Sequence, residues 1–152
     1  MGKPLTQLVP DFREALEEGV EQAVTTVVRD LQIAGPYWSG FFSDMWQVNV
    51  GKTAVRADIK SMEPVPDKPK ARKYIDVYVP ESPNLQGYTI GNRAKYRLLA
   101  MDIEKDTSEN PRGRSAPNAR LTAEPLWYDK YINAQMPGVI DQQITNVFRR
   151  FK

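Results

Sequence analysis

Apolar residues near the start of the chain recur at steps of three and four, which places them on one face of a helix. The residues of this face are Phe12, Leu16, Val20, Val24, Val27, Leu31 and Ala34. Asp11 and Glu14 have the spacing of a capping box, and Gly35 followed by Pro36 is a common stop signal. The pattern predicts an amphipathic helix over residues 11–34.

Short segments in which apolar and polar residues alternate follow this helix and predict strands. Residues 45–50 alternate around Trp46, and residues 53–59 are predicted to return as the paired strand after a turn. Residues 74–79 alternate again and end at a proline, and residues 88–90 form a further short strand. These segments together predict a small antiparallel sheet.

Helical composition returns in the second half of the chain. Residues 93–101 are rich in helix formers, and a last helix is predicted from Pro137, since proline is favourable at a first helical position. The apolar face of this last helix consists of Ile140, Ile144, Val147, Phe148 and Phe151. Long loops are expected at residues 60–73 and 105–123. The expected fold class is α+β, one domain over residues 1–152 in which the long N-terminal helix and the C-terminal helix pack on a small antiparallel β-sheet.

The composition of the chain narrows the functional classes. Hydrophobic residues make up 41% and charged residues 26%, as in ordinary globular proteins, and the net charge of +2 is too balanced to require a nucleic-acid partner. The chain has no Cys and no His, so it lacks thiolates, disulfides, the commonest general base and the commonest metal ligand. No stretch approaches the roughly 20 apolar residues of a membrane span, and we recognise no secretion signal, so no membrane contact is expected.

The acidic residues of the first predicted helix do not form a recognisable metal site. They share a helical surface, but a di-metal site needs a second acidic helix, so a solvated face or an interface with a neighbour's basic loop is favoured. These residues are Glu14, Glu17, Glu18 and Glu21. The chain also has no phosphate-binding Gly-Lys-Ser/Thr element and no Ser–His pair. We expect no catalytic residue, no metal and no cofactor, and an enzyme such as a carboxylate nuclease is a rival that metal-dependent turnover would support.

An aromatic turn lies between the long helix and the first strand, within residues 36–51. Its aromatic residues are Trp38, Phe41, Phe42 and Trp46. We predict that the last two lie in the core, whereas the first two are left open between the core and a subunit interface. Gly40 stands among these bulky side chains, where a backbone with positive φ or a close approach would select glycine. The turn therefore indicates packing and assembly.

Two predicted loops are basic. The first carries Lys68, Lys70, Arg72 and Lys73, and the second carries Arg112, Arg114 and Arg120. Either loop could face phosphates or simply be solvated, and solvation is favoured for the first. Two such loops raise the prospect that one surface of the protein faces DNA or an acidic partner.

The order of residues around the aromatic turn resembles a family of small tailed-bacteriophage neck and tail-completion proteins, which join heads to tails. In that family a long N-terminal helix runs into a Pro-x-x-Thr-Gly turn and then a Leu-Arg-x-Ser-Trp-like stretch that begins the first strand. The matching residues here are Pro36, Ser39, Gly40 and Trp46. Phe42 replaces the Leu, and Ser43 and Met45 replace the Arg and Ser.

A second match lies in residues 88–104, where the family has a strand that ends in Asn, then Ala and Tyr and a short helical turn. Asn92, Ala94 and Tyr96 carry this match, and the family's Gly after the turn is missing. The resemblance implies that Gly40, together with Phe42, Trp46, Asn92 and Tyr96, determines the fold.

The resemblance also implies a function. It predicts a structural virion protein made in the host cytoplasm, a homo-oligomeric ring in the neck that contacts other neck, connector and tail proteins. DNA passing through the lumen of such a ring would touch it without sequence specificity. The rival from another class is a small nucleic-acid-binding module that uses the basic loops and exposed aromatic side chains.

Overall fold

The computed structural model describes residues 4–37, 39–57, 66–68, 70–95, 97–101, 123–124 and 126–151. Helix α1 spans Leu5–Ala34, so the predicted start at residue 11 was wrong. Pro4 is the N-cap in extended conformation, and Pro10 lies inside the helix. Pro10 is the sixth residue of α1, past the first turn, so it lacks the N–H that would bond the Thr6 carbonyl. The predicted end is confirmed, and the Gly35 N–H donates to the Leu31 carbonyl at 3.1 Å.

A short helix and two strands follow α1. Helix α2 spans Phe41–Asp44, strand β1 spans Trp46–Val50 and strand β2 spans Tyr88–Asn92. The strands are antiparallel, with Trp46 opposite Asn92 and Val50 opposite Tyr88. The predicted pairing of β1 with residues 53–59 was wrong, because residues 53–57 are not a strand and residues 58–59 lie outside the described part.

Residues 70–82 run as an extended segment beside α1, which we call the strap. The predicted strand at 74–79 was wrong, since no sheet pairing forms there. Side chains of α1 hold the strap instead: Gln32 bonds the carbonyl of Ile75, and farther back along α1 Glu17 bonds the N–H of Asn84 in the turn that follows. The strap therefore runs antiparallel to the helix.

The C-terminal part of the described chain is mostly helical. Helix α3 spans Arg97–Met101, and α4 spans Trp127–Lys130. A π-helical turn, Tyr131–Gln135, leads without a break into α5, Met136–Phe148. The predicted start of the last helix at about Pro137 is confirmed to within one residue, whereas the helical turns that precede it were not predicted. The wide turn comes just before this proline, which has no N–H to donate to the preceding turn.

Helix α5 packs closely along α1. A Cβ atom at Gly19 would lie only 3.2 Å from the Cα atom of Ile144, so the absence of a side chain lets the two backbones approach. The core cluster lies beside the C-terminal half of α1 and consists of Val27, Val28, Leu31, Phe42, Trp46, Val48, Ala94, Trp127 and Tyr131. The predicted α+β class is confirmed, with a long N-terminal helix, a C-terminal helix and a small antiparallel sheet. Among the described residues, no helix has both the length and the apolar character needed to cross a bilayer.

Candidate functional site

Asn92 joins the two segments that the sequence analysis singled out. Its side chain is 1% exposed. Its Nδ2 donates to the Phe42 carbonyl at 2.8 Å, and its Oδ1 accepts from the Ala94 N–H at 2.8 Å. A buried amide with donor and acceptor both bonded fixes the relative position of the chains that it links. We call the set Gly40, Phe42, Trp46, Asn92 and Ala94 the Asn92 junction.

Gly40 forms the bend that brings α2 into the junction. It caps α2 with φ of 90° and ψ of −16°, in the left-handed region that favours glycine. A Cβ atom there would also lie 3.1 Å from the Tyr37 hydroxyl oxygen. The expectation of a positive φ at this position is confirmed.

The aromatic rings of the junction pack edge to face. The Phe42 ring lies 5.8 Å from that of Trp46 and 6.1 Å from that of Trp127, with interplanar angles of 75° and 89°. Both Phe42 and Trp46 are 5% exposed, which confirms their predicted place in the core. Phe41 is half-buried and packs against the same cluster. Trp38 and Tyr96 lie outside the described residues.

Gln32 is a structural residue that the sequence analysis missed. It is 2% exposed, and its Nε2 donates to the carbonyls of Ser43, at 3.2 Å, and Ile75, at 3.0 Å. It therefore ties α1 to both α2 and the strap. The signal was its position, one helical turn after Val28 on the buried face, where a polar side chain needs a partner.

The first basic loop contains one arginine with a structural role. Arg72 donates to the Ile33 carbonyl at 3.1 Å, and its guanidinium carbon lies 5.9 Å from the centre of the Tyr37 ring. A cation at this place suits the negative C-terminal end of α1. Lys68, Lys70 and Lys73 are exposed.

The second basic loop, with Arg112, Arg114 and Arg120, lies outside the described residues. Within the first loop, Lys70 and Lys73 make no side-chain hydrogen bond or ion pair with other described residues. These two lysines are therefore the cations of the strap that remain available to an outside partner.

Two of the glutamates on α1, Glu17 and Glu18, have partners within the chain. Glu17 accepts from the Asn84 N–H at 3.1 Å, and the Nε atom of Arg13 lies 3.4 Å from it. Glu18 accepts from Arg150 at 2.7 Å, which links α1 to the segment after α5. Glu17 and Glu18 therefore link α1 to the turn after the strap and to the segment after α5.

An apolar cavity of about 240 Å³ lies between α1 and the turn after the strap. It is lined by Leu16, Glu17, Val20, Ser82, Leu85, Gly87 and Tyr88. Burial raises the pKa of Tyr88, and the nearby carboxylates of Glu21, Glu17 and Glu81 raise it further. The cavity is therefore lined mainly by apolar groups, and Glu17 is the one acidic residue in its lining.

The described part of the chain offers surfaces for contact and few reactive groups. No cluster of acidic side chains there could hold a metal ion. Large apolar side chains reach solvent at Val9, which is 70% exposed, Phe12, 59%, and Tyr78, 80%. Comparison with known proteins finds no matching family model, curated protein or solved structure. A function must therefore be proposed from the residues and contacts themselves.

Proposed function

We propose that this chain is a structural protein of a tailed-bacteriophage virion, a ring-forming neck subunit that joins the portal and connector to the tail. It acts by assembly and catalyses no reaction. The observation that carries the proposal is the Asn92 junction, because Gly40, Trp46, Asn92 and Ala94 are among the residues by which the sequence resembles that family.

The resemblance rests on two short segments, around Gly40–Trp46 and around Asn92, and each alone is a weak signal. In the folded chain the Asn92 amide bonds the Phe42 carbonyl at 2.8 Å, and Asn92 lies opposite Trp46 in the sheet. The meeting of the two segments supports reading them as one motif.

The surface supports an assembly role as well. Val9, Phe12 and Tyr78 expose apolar area on elements whose backbones are held by the fold. In a ring the same contact recurs around the axis, so weak contacts at each interface add up to a stable assembly. Lysines such as Lys68 that faced the lumen would lower the cost of bringing DNA close without reading its sequence.

The direct test is a virus that carries a null allele of this chain. We expect filled heads and separate tails that fail to join, and electron microscopy of lysates should show both. Supplying the wild-type chain, or a Lys52→Ala variant as a surface control, should restore joined particles. Joined particles without the chain would refute the proposal.

A second test uses the purified chain alone and with connector or tail proteins. Native mass spectrometry and negative-stain images should show rings at high concentration or on a partner. A monomer that binds DNA in a salt-dependent way and forms no ring would instead favour a nucleic-acid-binding module. Metal-dependent hydrolysis that a Glu17→Ala or Asp44→Ala change abolishes would favour an enzyme.

The loop at residues 106–119 gives a third test. It is rich in Gly, Pro and charged residues and cannot bury enough apolar area to offset its own ordering, so its value would come from contacts with neighbours. Replacement by a short Gly-Ser linker should leave the melting temperature near that of the parent while ring formation or head–tail joining fails. Normal assembly would refute this role, and unfolding would place the loop in the core.

A further inference from the structure

The two edges of the strap backbone have different surroundings. On the inner edge, both the N–H and the carbonyl of Lys73 bond the Tyr37 hydroxyl at 2.9 Å. The carbonyl of Ile75 accepts from the Gln32 side chain at 3.0 Å. In an extended chain the N–H and C=O of one residue point to the same side, and those of the next residue point to the other side. The backbone groups of the odd-numbered residues therefore face α1 and Tyr37, and those of the even-numbered residues face away from them.

The outer edge of the strap is an unpaired strand edge. The backbone N–H and C=O groups of Tyr74, Asp76 and Tyr78 make no hydrogen bond with other described residues. Asp76 and Tyr78 are both exposed, the latter at 80%, so this edge reaches solvent. A row of unpaired backbone groups on an extended segment is a ready template for pairing with a strand of another molecule.

The charges along the strap change from basic to acidic. Lys70 and Lys73 lie toward its start, and Asp76 and Glu81 lie toward its end. When two identical straps pair antiparallel, the basic end of each lies beside the acidic end of the other, whereas a parallel pairing places like charges together. Opposite charges across two strands stabilise the pair, and like charges directly opposite destabilise it. The strap is therefore complementary to itself, which argues for a second copy of this chain as the occupant.

We propose that two copies of this chain pair antiparallel along the outer edges of their straps, in a two-fold contact centred on Val77. Asp76 then lies opposite Tyr78 of the other copy, and the two residues exchange both backbone hydrogen bonds. Lys73 lies opposite Glu81. A register centred on Asp76 would place two carboxylates directly opposite each other and is disfavoured. The contact closes on itself after two copies, so it is independent of the proposed ring.

The two ionic contacts of the proposed dimer give the first test. Lys73→Glu alone and Glu81→Lys alone each place like charges opposite one another twice, so each should lower the dimer fraction several-fold. An equimolar mixture of the two variants restores opposite charges at both places and should form mixed dimers at close to the wild-type level. Sedimentation velocity measures the dimer, and native mass spectrometry identifies the mixed species. Lys52→Glu, on an exposed turn, changes the net charge as Lys73→Glu does and should have little effect.

A second test removes the outward N–H itself. Tyr78→Ala and Tyr78→Pro both lack the ring, but only the proline lacks the N–H that would bond the Asp76 carbonyl of the other copy. We expect Tyr78→Pro to abolish the dimer and Tyr78→Ala to weaken it several-fold at most. The melting temperatures of the two monomers should be similar, because this N–H has no partner among the described residues of its own chain.

The absence of Cys allows the register to be tested by disulfide formation. Asp76→Cys and Tyr78→Cys chains are mixed under oxidising conditions, and the linked products are identified by mass. Residues directly opposite in such a pair have Cα atoms about 5.5 Å apart, which a disulfide can span. We expect the mixed product to exceed either homodimer. Replacing Tyr78→Cys by Gln142→Cys, on the exposed side of α5, should give several-fold less.

The outcomes separate this contact from the proposed ring. A wild-type chain that stays monomeric at high concentration overturns the contact, as does a dimer that neither Lys73→Glu nor Glu81→Lys weakens. Equal dimer fractions for Tyr78→Pro and Tyr78→Ala, or disulfides no more abundant than with Gln142→Cys, would also overturn it. Rings in images of a chain that forms no such dimer would keep the proposed function and refute the strap contact alone.

Discussion

The two halves of helix α1 have the same amphipathic pattern but different surroundings. In the C-terminal half, Val27, Val28 and Leu31 are each 2% exposed. In the N-terminal half, Val9 is 70% exposed and Phe12 59%, although the Phe12 ring lies 4.8 Å from that of Phe148. Apolar periodicity therefore identifies a face that favours burial, but the surrounding chain decides which part of the face is covered within one molecule.

The largest expected effect compares Trp46, in the core cluster beside the C-terminal half of α1, with Phe12 on the N-terminal half. Trp46→Ala removes a side chain that is 5% exposed and packed on Phe42, and should lower the free energy of unfolding by about 3–5 kcal/mol. Phe12→Ala is the matched control and should cost about 1 kcal/mol or less. Urea denaturation of both variants checks this, and equal costs would mean that Phe12 contributes as much to the fold as Trp46 does.

A substitution at Gly40 tests the bend that brings α2 against the C-terminal half of α1. Gly40→Val should cost about 1–3 kcal/mol in backbone strain at its φ of 90°. Crowding against Tyr37 should add to this cost. Gly87→Val is the control, since Gly87 has φ of 77° but open space around it. Thermal melts should rank Gly40→Val below Gly87→Val, and the reverse order would show that crowding at Tyr37 is unimportant.

The hydrogen bond between Tyr131 and Asp30, in the C-terminal half of α1, should make the stability of the fold depend on pH. Burial, with the nearby Asp30 carboxylate, raises the pKa of Tyr131, and its hydroxyl donates to Asp30 at 3.0 Å. The unfolded chain then releases this proton at lower pH than the folded chain, so its contribution is intact below the ordinary tyrosine pKa of about 10 and is lost as pH rises beyond it.

Tyr131→Phe should lower the free energy of unfolding at neutral pH by about 1.5–3 kcal/mol, as expected for a hydrogen bond to a charged group. It should also flatten the loss of stability at alkaline pH, which urea denaturation at several pH values would measure. Tyr128→Phe removes another tyrosine whose pKa is raised by burial. It therefore shows how much a buried tyrosine contributes to the alkaline slope without the bond to Asp30. An unchanged alkaline slope in Tyr131→Phe would contradict the assignment.

Gly19 gives the smallest expected effect, near the middle of α1. Alanine is normally the better helix former by about 1 kcal/mol, but overpacking costs about 1–3 kcal/mol. Because a Cβ at Gly19 would lie 3.2 Å from the Ile144 backbone, Gly19→Ala should be destabilising by about 1 kcal/mol. Gly138→Ala has no neighbour within 4 Å and should be neutral or stabilising. A stabilising Gly19→Ala would mean that α5 shifts away from α1 at little cost.

The sequence was informative where local chemistry decides the structure. The end of α1 at Gly35, the positive φ of Gly40 and the burial of Trp46 each follow from nearby residues, and all were predicted. Pairing over long distances was not. Strand β1 pairs with β2 and not with residues 53–57. The alternation of apolar and polar residues marks a segment that can pair, but it does not identify the partner, so the nearer segment was predicted.

Buried polar residues are the second feature that is hard to predict from the sequence. Gln32 and Asn92 are both buried and both bond backbone carbonyls of distant segments. The family resemblance marks Asn92, whereas Gln32 is marked only by its position on the buried face of α1. The strand predicted at residues 74–79 was wrong for a related reason. Val77 and Val79 of the strap do pack on the core, but the strap backbone pairs with no neighbouring strand.

The packing of α1 on α5 also sets the order of events during synthesis. The core cluster on α1 takes Trp127 and Tyr131 from the other end of the chain, and α5 itself follows them. Contacts between such distant segments cannot form until the ribosome has released both, so the first helix emerges with its apolar face open. The core cluster on α1 therefore stays incomplete, and its apolar face open to non-specific contacts, until Trp127, Tyr131 and α5 have been synthesised.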